Sequence, residues 1–367
     1  KSIVWLPGSS IIYDKTILIN FISSIVKKQN IKIIHSFDLE SHILSRFVAN
    51  KLKHRTKIVG NICGMTQKYK YPYAFPVIVF TEELKNQIEK IFNSKNDDVF
   101  VEPARLNFLF YLNEIQNKTK TREIKKRFKN KKIILMIARL SFTKINSILL
   151  ALEDMKNLSK TRSDFVFILI GGTNDQIIYR FLKNKIEKIN RYHNREVVFY
   201  NYKLHKNIYD IIAISDIVIG VAKVCFEGML YGKPVIVSGE QGCSGIVDIN
   251  NKIKLKNMMY NNFSSREIKK NEKRIKKLKP ELEILLNDKN LCSKFGKNNQ
   301  IWVEKHLNVS HGIETYISTY HNLIKKDTQQ FLPLRYAYFG LVIIILGKVK
   351  MYFKRLLFTA KYFKVNW

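Results

Sequence analysis

The chain has 367 residues, with 64 Lys and Arg against 30 Asp and Glu, a formal charge of +34, and 46% hydrophobic residues. This length and apolar share exclude a disordered chain and allow two α/β domains of ordinary size. The charge calls for an anionic partner (nucleic acid, anionic lipid or a nucleotide ligand), but heavy use of Lys, Asn and Ile throughout makes part of it compositional.

In chain order, short apolar segments alternate with helical patterns, the signature of parallel sheets covered on both faces. The expected strands of the first half are Ile3–Leu6, Ile31–His35, Lys57–Ile62, Val77–Phe80 and Val99–Val101, with helices over Lys15–Lys27 and Ser41–Lys51. Lys1 stands where a Met would begin a chain and Ser2 to Leu6 already reads as an interior strand, so upstream residues are expected. The polar passage Asn113–Lys132 marks a domain boundary. A second alternating set follows, with strands at Ile133–Ile137, Phe165–Ile170, Val197–Tyr200, Ile217–Ile219 and Val235–Val237. Helices are expected between them at Ile145–Met155, Gln176–Ile189 and Ile208–Ile214.

Within this set the densest signal runs from Ala213 to Asp248. An apolar strand meets Gly220, a helix runs from about Lys223 to Tyr231, Gly232 ends it, and Pro234 prevents its continuing. Such a strand–loop–helix turn points backbone N–H groups at an anion. It also places Glu227 beside that anion, where a carboxylate suits neutral hydroxyls. Ser264–Pro280 reads as an exposed basic helix, and Ile313–Lys325 as an amphipathic helix able to return to the first domain.

Residues 331–367 carry seven Lys and Arg and no acidic residue. The apolar run Tyr336–Gly347 has 12 residues, too short to span a bilayer core of about 30 Å. Lys348, Lys350, Lys354, Arg355, Lys361 and Lys364 then mix with Tyr352, Phe353, Phe358, Tyr362, Phe363 and Trp367. That pattern suits a helix lying in the interface of an anionic membrane. The other reading is that Tyr336–Gly347 completes a core or dimer interface. Cys63, Cys225, Cys243 and Cys292 form no C-x-x-C pair and accompany no His cluster, which argues against zinc or a disulfide scaffold.

Several stretches together resemble the retaining GT-B glycosyltransferases of family four. ILMIARLSFTKINSILLAL is similar to the strand–loop signature whose Arg and Lys, here Arg139 and Lys144, hold a donor diphosphate; Ala138 stands where Gly is usual. FVFILIGGTNDQ resembles the next strand and glycine turn, with Gly171 and Gly172, and VVFYNYKLHKNI places Asn201 at a strand-ending Gly position. The 213–248 stretch resembles the family's region of paired glutamates. Glu227 is the second of the pair; the first would fall at Ile219 and is absent, as in branches with a basic residue at the position of Lys223. In the first half, KIIHSFDLES and KIVGNICGMT resemble acceptor-facing strands, with His35 and Asp38 on one and Gly64 on the other. Cys63 occupies the place where many members have His.

The resemblance implies two Rossmann-like, doubly wound parallel-sheet domains: an incomplete acceptor-side domain over 1–115, a linker over 116–128 and a nucleotide-sugar domain over 129–308. A closing helix over 309–330 and a basic amphipathic membrane-associating tail over 331–367 complete it. It implies a retaining hexosyl transfer from a UDP- or GDP-sugar to a glycan or lipid-linked acceptor, in cell-envelope polysaccharide or lipopolysaccharide synthesis. The enzyme would sit on the inner face of the cell membrane. Arg139 and Lys144 would stabilise the leaving diphosphate with no metal or other cofactor, Gly220, Val221, Ala222, Lys223 and Glu227 would hold the donor, and His35, Asp38 and Gly64 would line the acceptor side. The alternative is a non-catalytic GT-B-like protein that binds an anionic polymer or nucleic acid, although no nucleic-acid module is recognisable.

Overall fold

The computed structural model describes residues 12–53, 55–62, 76–92, 99–113, 118–142, 144–173, 175–200, 208–239, 242–260 and 277–325, then 338, 342, 346, 349–350, 352–353 and 355–358. The expected strand Ile3–Leu6, Cys63 and Gly64, Asn201, residues 264–276 of the basic segment and most of Tyr336–Gly347 lie outside them. The chain forms two compact units, one of residues 1–103 with 312–350, the other of residues 104–311 with 351–367.

The first unit alternates α1 (Ile12–Lys28), β1 (Ile33–Ser36), α2 (Leu39–Lys51), β2 (Lys57–Ile62), β3 (Val77–Val79), α3 (Glu82–Phe92) and β4 (Val99–Val101). Its sheet is parallel in the order β1-β2-β3-β4. Val77, Ile78 and Val79 are fully buried, as strands covered on both faces require.

The second unit contains α4 (Phe108–Asn113), α5 (Lys118–Arg127), β5 (Lys132–Ile137), α6 (Ile145–Leu158), β6 (Phe165–Ile170), α7 (Gln176–Tyr192), β7 (Val198–Tyr200), α8 (Ile208–Ile214) and β8 (Ile217–Gly220). It continues through α9 (Lys223–Leu230), β9 (Val235–Gly239), β10 (Gly242–Ile246), α10 (Lys252–Tyr260), α11 (Lys279–Asn287) and α12 (Lys289–His306). The last helix, α13 (Val309–Lys325), lies mostly in the first unit, where Leu323 packs with Val59 and Ile78.

The second sheet runs β10-β9-β8-β5-β6-β7, parallel except for the β9–β10 hairpin. Alternate residues of each strand feed different cores. Ile134, Met136, Phe165, Phe167 and Leu169 join one cluster, while Leu135, Val166, Ile168 and Ile170 join the other. Phe165 and Phe167 are among the largest fully buried side chains; truncating either to Ala should cost about 3–5 kcal/mol. On α7, the buried residues Ile178, Leu182, Ile186 and Ile189 recur at helical spacing, and Asp175 caps its start by accepting from the Ile177 N–H at 3.0 Å.

Two devices fix the strands that matter for the site. Asp216, just before β8, accepts from the Ile133 N–H at 2.8 Å and pairs with Lys132 at 2.9 Å, so β5 and β8 start together. At the end of α9, Gly232 adopts φ +65°, its N–H donates to Met229 O at 2.9 Å, and the Lys233 N–H donates to Gly228 O at 3.0 Å. This pair of bonds is the Schellman C-cap that a left-handed glycine permits.

Candidate active site

After β5 the chain builds outward through β6 and β7, then returns to place β8 on the other side of β5. The strand order reverses between β5 and β8, and crevices at the carboxyl ends of such strands are where open α/β sheets bind ligands. Ile134, Leu135 and Met136 stand opposite Ile217, Val218 and Ile219, so both strands end at one edge. Arg139 and Lys144 follow β5; Gly220 through Glu227 follow β8. The topology therefore brings the predicted donor residues to a single edge of the sheet.

The loop after β5 is locked to the loop after β6. Ala138 donates its N–H to Ile170 O at 3.0 Å and Leu140 to Gly172 O at 3.3 Å. A Cβ at Gly171 would lie 2.0 Å from Ala138 O, so only glycine allows this approach, whereas one at Gly172 would meet nothing. Leu140 and Ile145 are buried on either side of the loop, and Arg139 is left exposed. Lys144 is half-buried at the N-cap of α6, where its N–H and that of Ile145 both donate to Ser141 O at 2.9 Å.

The β8–α9 connection is only Val221 and Ala222. Gly220 serves packing: a Cβ there would lie 2.4 Å from Val224 Cγ1. Ala222 takes φ +52° and ψ −123°, a conformation foreign to side-chain-bearing residues that stores about 1–3 kcal/mol of strain. The first-turn N–H groups of Cys225 and Phe226 bond to Ala222 O at 2.9 and 3.4 Å, so these two are spent within the helix. Ile219 is fully buried in β8 beside Met136 and Ile236. The missing first glutamate is thus a matter of a short connection: the position counted back from Glu227 falls inside the strand, where a carboxylate would be stranded in the core.

Glu227 is 6% exposed. Lys223, one turn earlier on α9, places Nζ 3.6 Å from its Oε1, and the Tyr111 hydroxyl donates to the same carboxylate. Burial raises the Glu227 carboxyl above the usual range, opposed first by the Lys223 charge and then by the Tyr111 bond. The Lys223 ammonium lies 5.7 Å from the Tyr111 ring centroid, Tyr209 meets Tyr111 edge-on at 5.0 Å, and the Tyr231 hydroxyl donates to Tyr111 O at 2.7 Å. Burial pushes the Tyr209 phenol up to about 12, so it stays protonated as a donor. The carboxylate is pre-oriented but retains acceptor capacity for hydroxyls of a ligand. The three tyrosines were missed by sequence reasoning: Tyr111 precedes Glu227 by more than a hundred positions, and no spacing joins them.

Lys233, within the GKPVIV signature, donates from Nζ to Ala213 O at 2.7 Å, a structural role. Buried Cys225 has its thiol pushed up by burial, and Cys243 packs in the core.

Of the residues expected on the acceptor side, His35 lies in β1 one residue before its end, with Nδ1 2.6 Å from the Tyr320 hydroxyl and its ring stacked on Phe37 at 4.2 Å. Burial holds its pKa down at about 4, so it is neutral at pH 7. The Asp38 carboxylate accepts from the Ser41 N–H at 2.7 Å in a capping box for α2, which accounts for it structurally. Gly64 lies outside the described residues. Among the described residues no cluster of three or more His, Cys, Asp and Glu could hold a metal ion, and no helix is long and apolar enough to cross a membrane.

In the tail, every described position from 338 to 358 is helical. Two residues assigned to a membrane-lying face turn inward: Arg355 Nε lies 3.2 Å from Asp175 Oδ2, and Phe358 packs edge-on against Phe142 and Phe181. Tyr352, Phe353 and Leu357 are 60%, 58% and 70% exposed.

No curated protein matches the chain. Solved structures that resemble it include a glycosyltransferase from Rickettsia africae (17% identity, 89% of this chain and 85% of that one, TM-score 0.63). Anabaena HepE in complex with UDP matches at 14% identity over 83% and 82% of the two chains, TM-score 0.58. A trehalose-6-phosphate protein of E. coli bound with UDP-2-fluoro glucose matches at 12% over 87% and 79%, TM-score 0.60. These likenesses give the GT-B fold. The family described as "Glycosyl transferases group 1" matches residues 117–302, half of the chain and all of the sheet edge just described, and the protein belongs to that family of glycosyltransferases.

Proposed function

We propose that this glycosyltransferase moves a sugar, with retention, from a UDP- or GDP-sugar to a glycan or lipid-linked acceptor in cell-envelope polysaccharide synthesis, on the inner face of the cell membrane. One observation carries the donor reading: Arg139 with Lys144, and Lys223 with Glu227, follow the two strands that flank the switch point of the second sheet. UDP in the Anabaena and E. coli structures of the same fold supports a nucleoside-diphosphate donor.

In this mechanism the bond from the anomeric carbon to the diphosphate oxygen breaks as the acceptor oxygen bonds to the same face. The acceptor's proton passes to the departing phosphate. Arg139 offers a planar fork and Lys144 a point charge to the phosphate oxygens, without a metal. Loss of one such contact costs about 3 kcal/mol of transition-state stabilisation. Glu227, held by Lys223 and Tyr111, accepts from ribose hydroxyls. The outward Tyr352, Phe353 and Leu357, in a tail without acidic residues, supply the membrane contact.

Thermal-shift measurements with UDP, GDP and ADP on wild type and Arg139→Ala test the site. Stabilisation of the wild type by one nucleotide, lost in the variant, is expected; equal shifts in both proteins would remove Arg139 from the site.

A further inference from the structure

We propose that the C-terminal tail is a positioning element of the donor site, with Phe358 and Arg355 acting on the loops that carry Arg139 and Lys144. This rests on the donor-site reading above.

The two loops at the sheet edge are tied to each other, since Gly171 admits the backbone of residues 138–140 and two backbone bonds join them. Phe142 stands on the first loop, between Arg139 and Lys144. Asp175 closes the second loop and caps α7, and Phe181 lies farther along that helix. The Phe358 ring sits 5.1 Å from Phe142 and 5.0 Å from Phe181, edge-on to both. One helical turn earlier, Arg355 reaches the Asp175 oxygen that does not cap α7. Three residues apart on a helix, Arg355 and Phe358 share a face. That face grips both loops from outside.

Hydrophobicity alone does not select this face. Leu357 and Phe353 point to solvent while a guanidinium turns inward to a carboxylate. The arrangement is specified by the pairing of each residue with its partner. Loops that bind ligands belong to the least stable parts of a fold, and a cation on such a loop contributes only when held in place. A ring wedged against the middle of the 138–144 loop limits its movement. Arg355 is half exposed, so most of the effect falls on Phe358.

The test uses the full-length chain and whichever of UDP, GDP or ADP stabilises the wild type, beside the corresponding nucleoside. Phe358→Ala should weaken diphosphate binding about three- to thirty-fold, and Arg355→Ala by a smaller factor. Affinity for the nucleoside should be unchanged, and Phe358→Tyr and Arg355→Lys should restore diphosphate binding. Asp175→Asn, which still caps α7, should reproduce Arg355→Ala. Arg355→Ala, at a half-exposed position, and Asp175→Asn, which keeps the side chain's shape, leave the question open to measurement if Phe358→Ala fails to fold. Equal losses for nucleoside and diphosphate, or no loss in any variant, would overturn the proposal. A wild type that binds no nucleoside diphosphate would instead remove the donor reading, and this inference with it.

Discussion

On the donor-site reading proposed above, Glu227 is a side chain that costs the fold stability while serving the ligand. Its burial raises its pKa, yet Lys223 and Tyr111 keep it oriented. Glu227→Gln should therefore raise the melting temperature, because the buried charge goes while Lys223 stays 62% exposed and leaves no cation stranded. The same change should weaken nucleoside-diphosphate binding by about tenfold, charge-assisted hydrogen bonds being worth about 1.5–3 kcal/mol. Paired melting and calorimetric titration check both signs; a variant both less stable and unimpaired in binding would remove Glu227 from the ligand. His42 makes the opposite kind of demand on the first unit. It is 2% exposed, its Nδ1 lies 2.8 Å from Ser36 Oγ, and Gly60 exists to admit its ring. Burial first, then Arg46 and His35, lower its pKa to about 3 from 6.5. Between those values the unfolded chain takes up a proton that the folded chain refuses. The contribution of His42 to stability is thus fully present above pH 6.5 and falls as pH drops towards 3, at up to about 1.4 kcal/mol per pH unit. His35, held at about 4, adds a slope of the same sign, so melts from pH 7.5 to 5 should show the decline and His42→Gln should remove only part of it.

At the scale of elements, Gly171 and Gly172 separate two reasons for a glycine pair. Gly171→Ala brings a methyl onto the Ala138 carbonyl, a backbone clash no rotamer relieves, and should cost about 1–3 kcal/mol while displacing Arg139. Gly172→Ala meets open space and should leave stability and nucleotide binding unchanged, which denaturant titration of the two variants decides. The strands at this edge were legible because each is buried on both faces: β6 was expected at Phe165–Ile170 and spans those residues. The end of α9 was legible because Gly232 and Pro234 punctuate it chemically. β10 was not, since GCSGI lacks any apolar run and pairs only through its hairpin with β9. The sequence leaves open whether Gly220 serves a sharp turn or the approach of a ligand, and in the structure its missing side chain makes room for Val224, because a two-residue connection turns α9 back onto its strand. The partners of Glu227 and the inward face of the tail were illegible for one reason: both depend on residues brought together across long stretches of chain.

At the scale of the molecule, the +34 charge alone cannot choose a partner, because any polyanion would be attracted and released by salt. What separates a membrane from a nucleic acid is the apolar contribution. Among the described residues of the tail, Tyr338, Val342, Leu346, Val349, Tyr352, Phe353 and Leu357 are exposed, whereas Arg355 and Phe358 face the protein. Burying a Phe and a Leu is worth about 1.5–3 kcal/mol each, against about 1 kcal/mol per basic residue at an anionic surface. Phe353→Ser with Leu357→Ser should therefore cut binding to phosphatidylserine-containing vesicles by at least about tenfold at fixed salt, a step of roughly 1.4 kcal/mol. Neither substitution changes the charge, so binding to duplex nucleic acid, whose bases are already stacked, should hold at the same salt, and nucleotide binding should hold as well. Co-sedimentation with vesicles across a salt series measures both terms. Unaltered sedimentation of the double variant would take the membrane-inserting role away from Phe353 and Leu357.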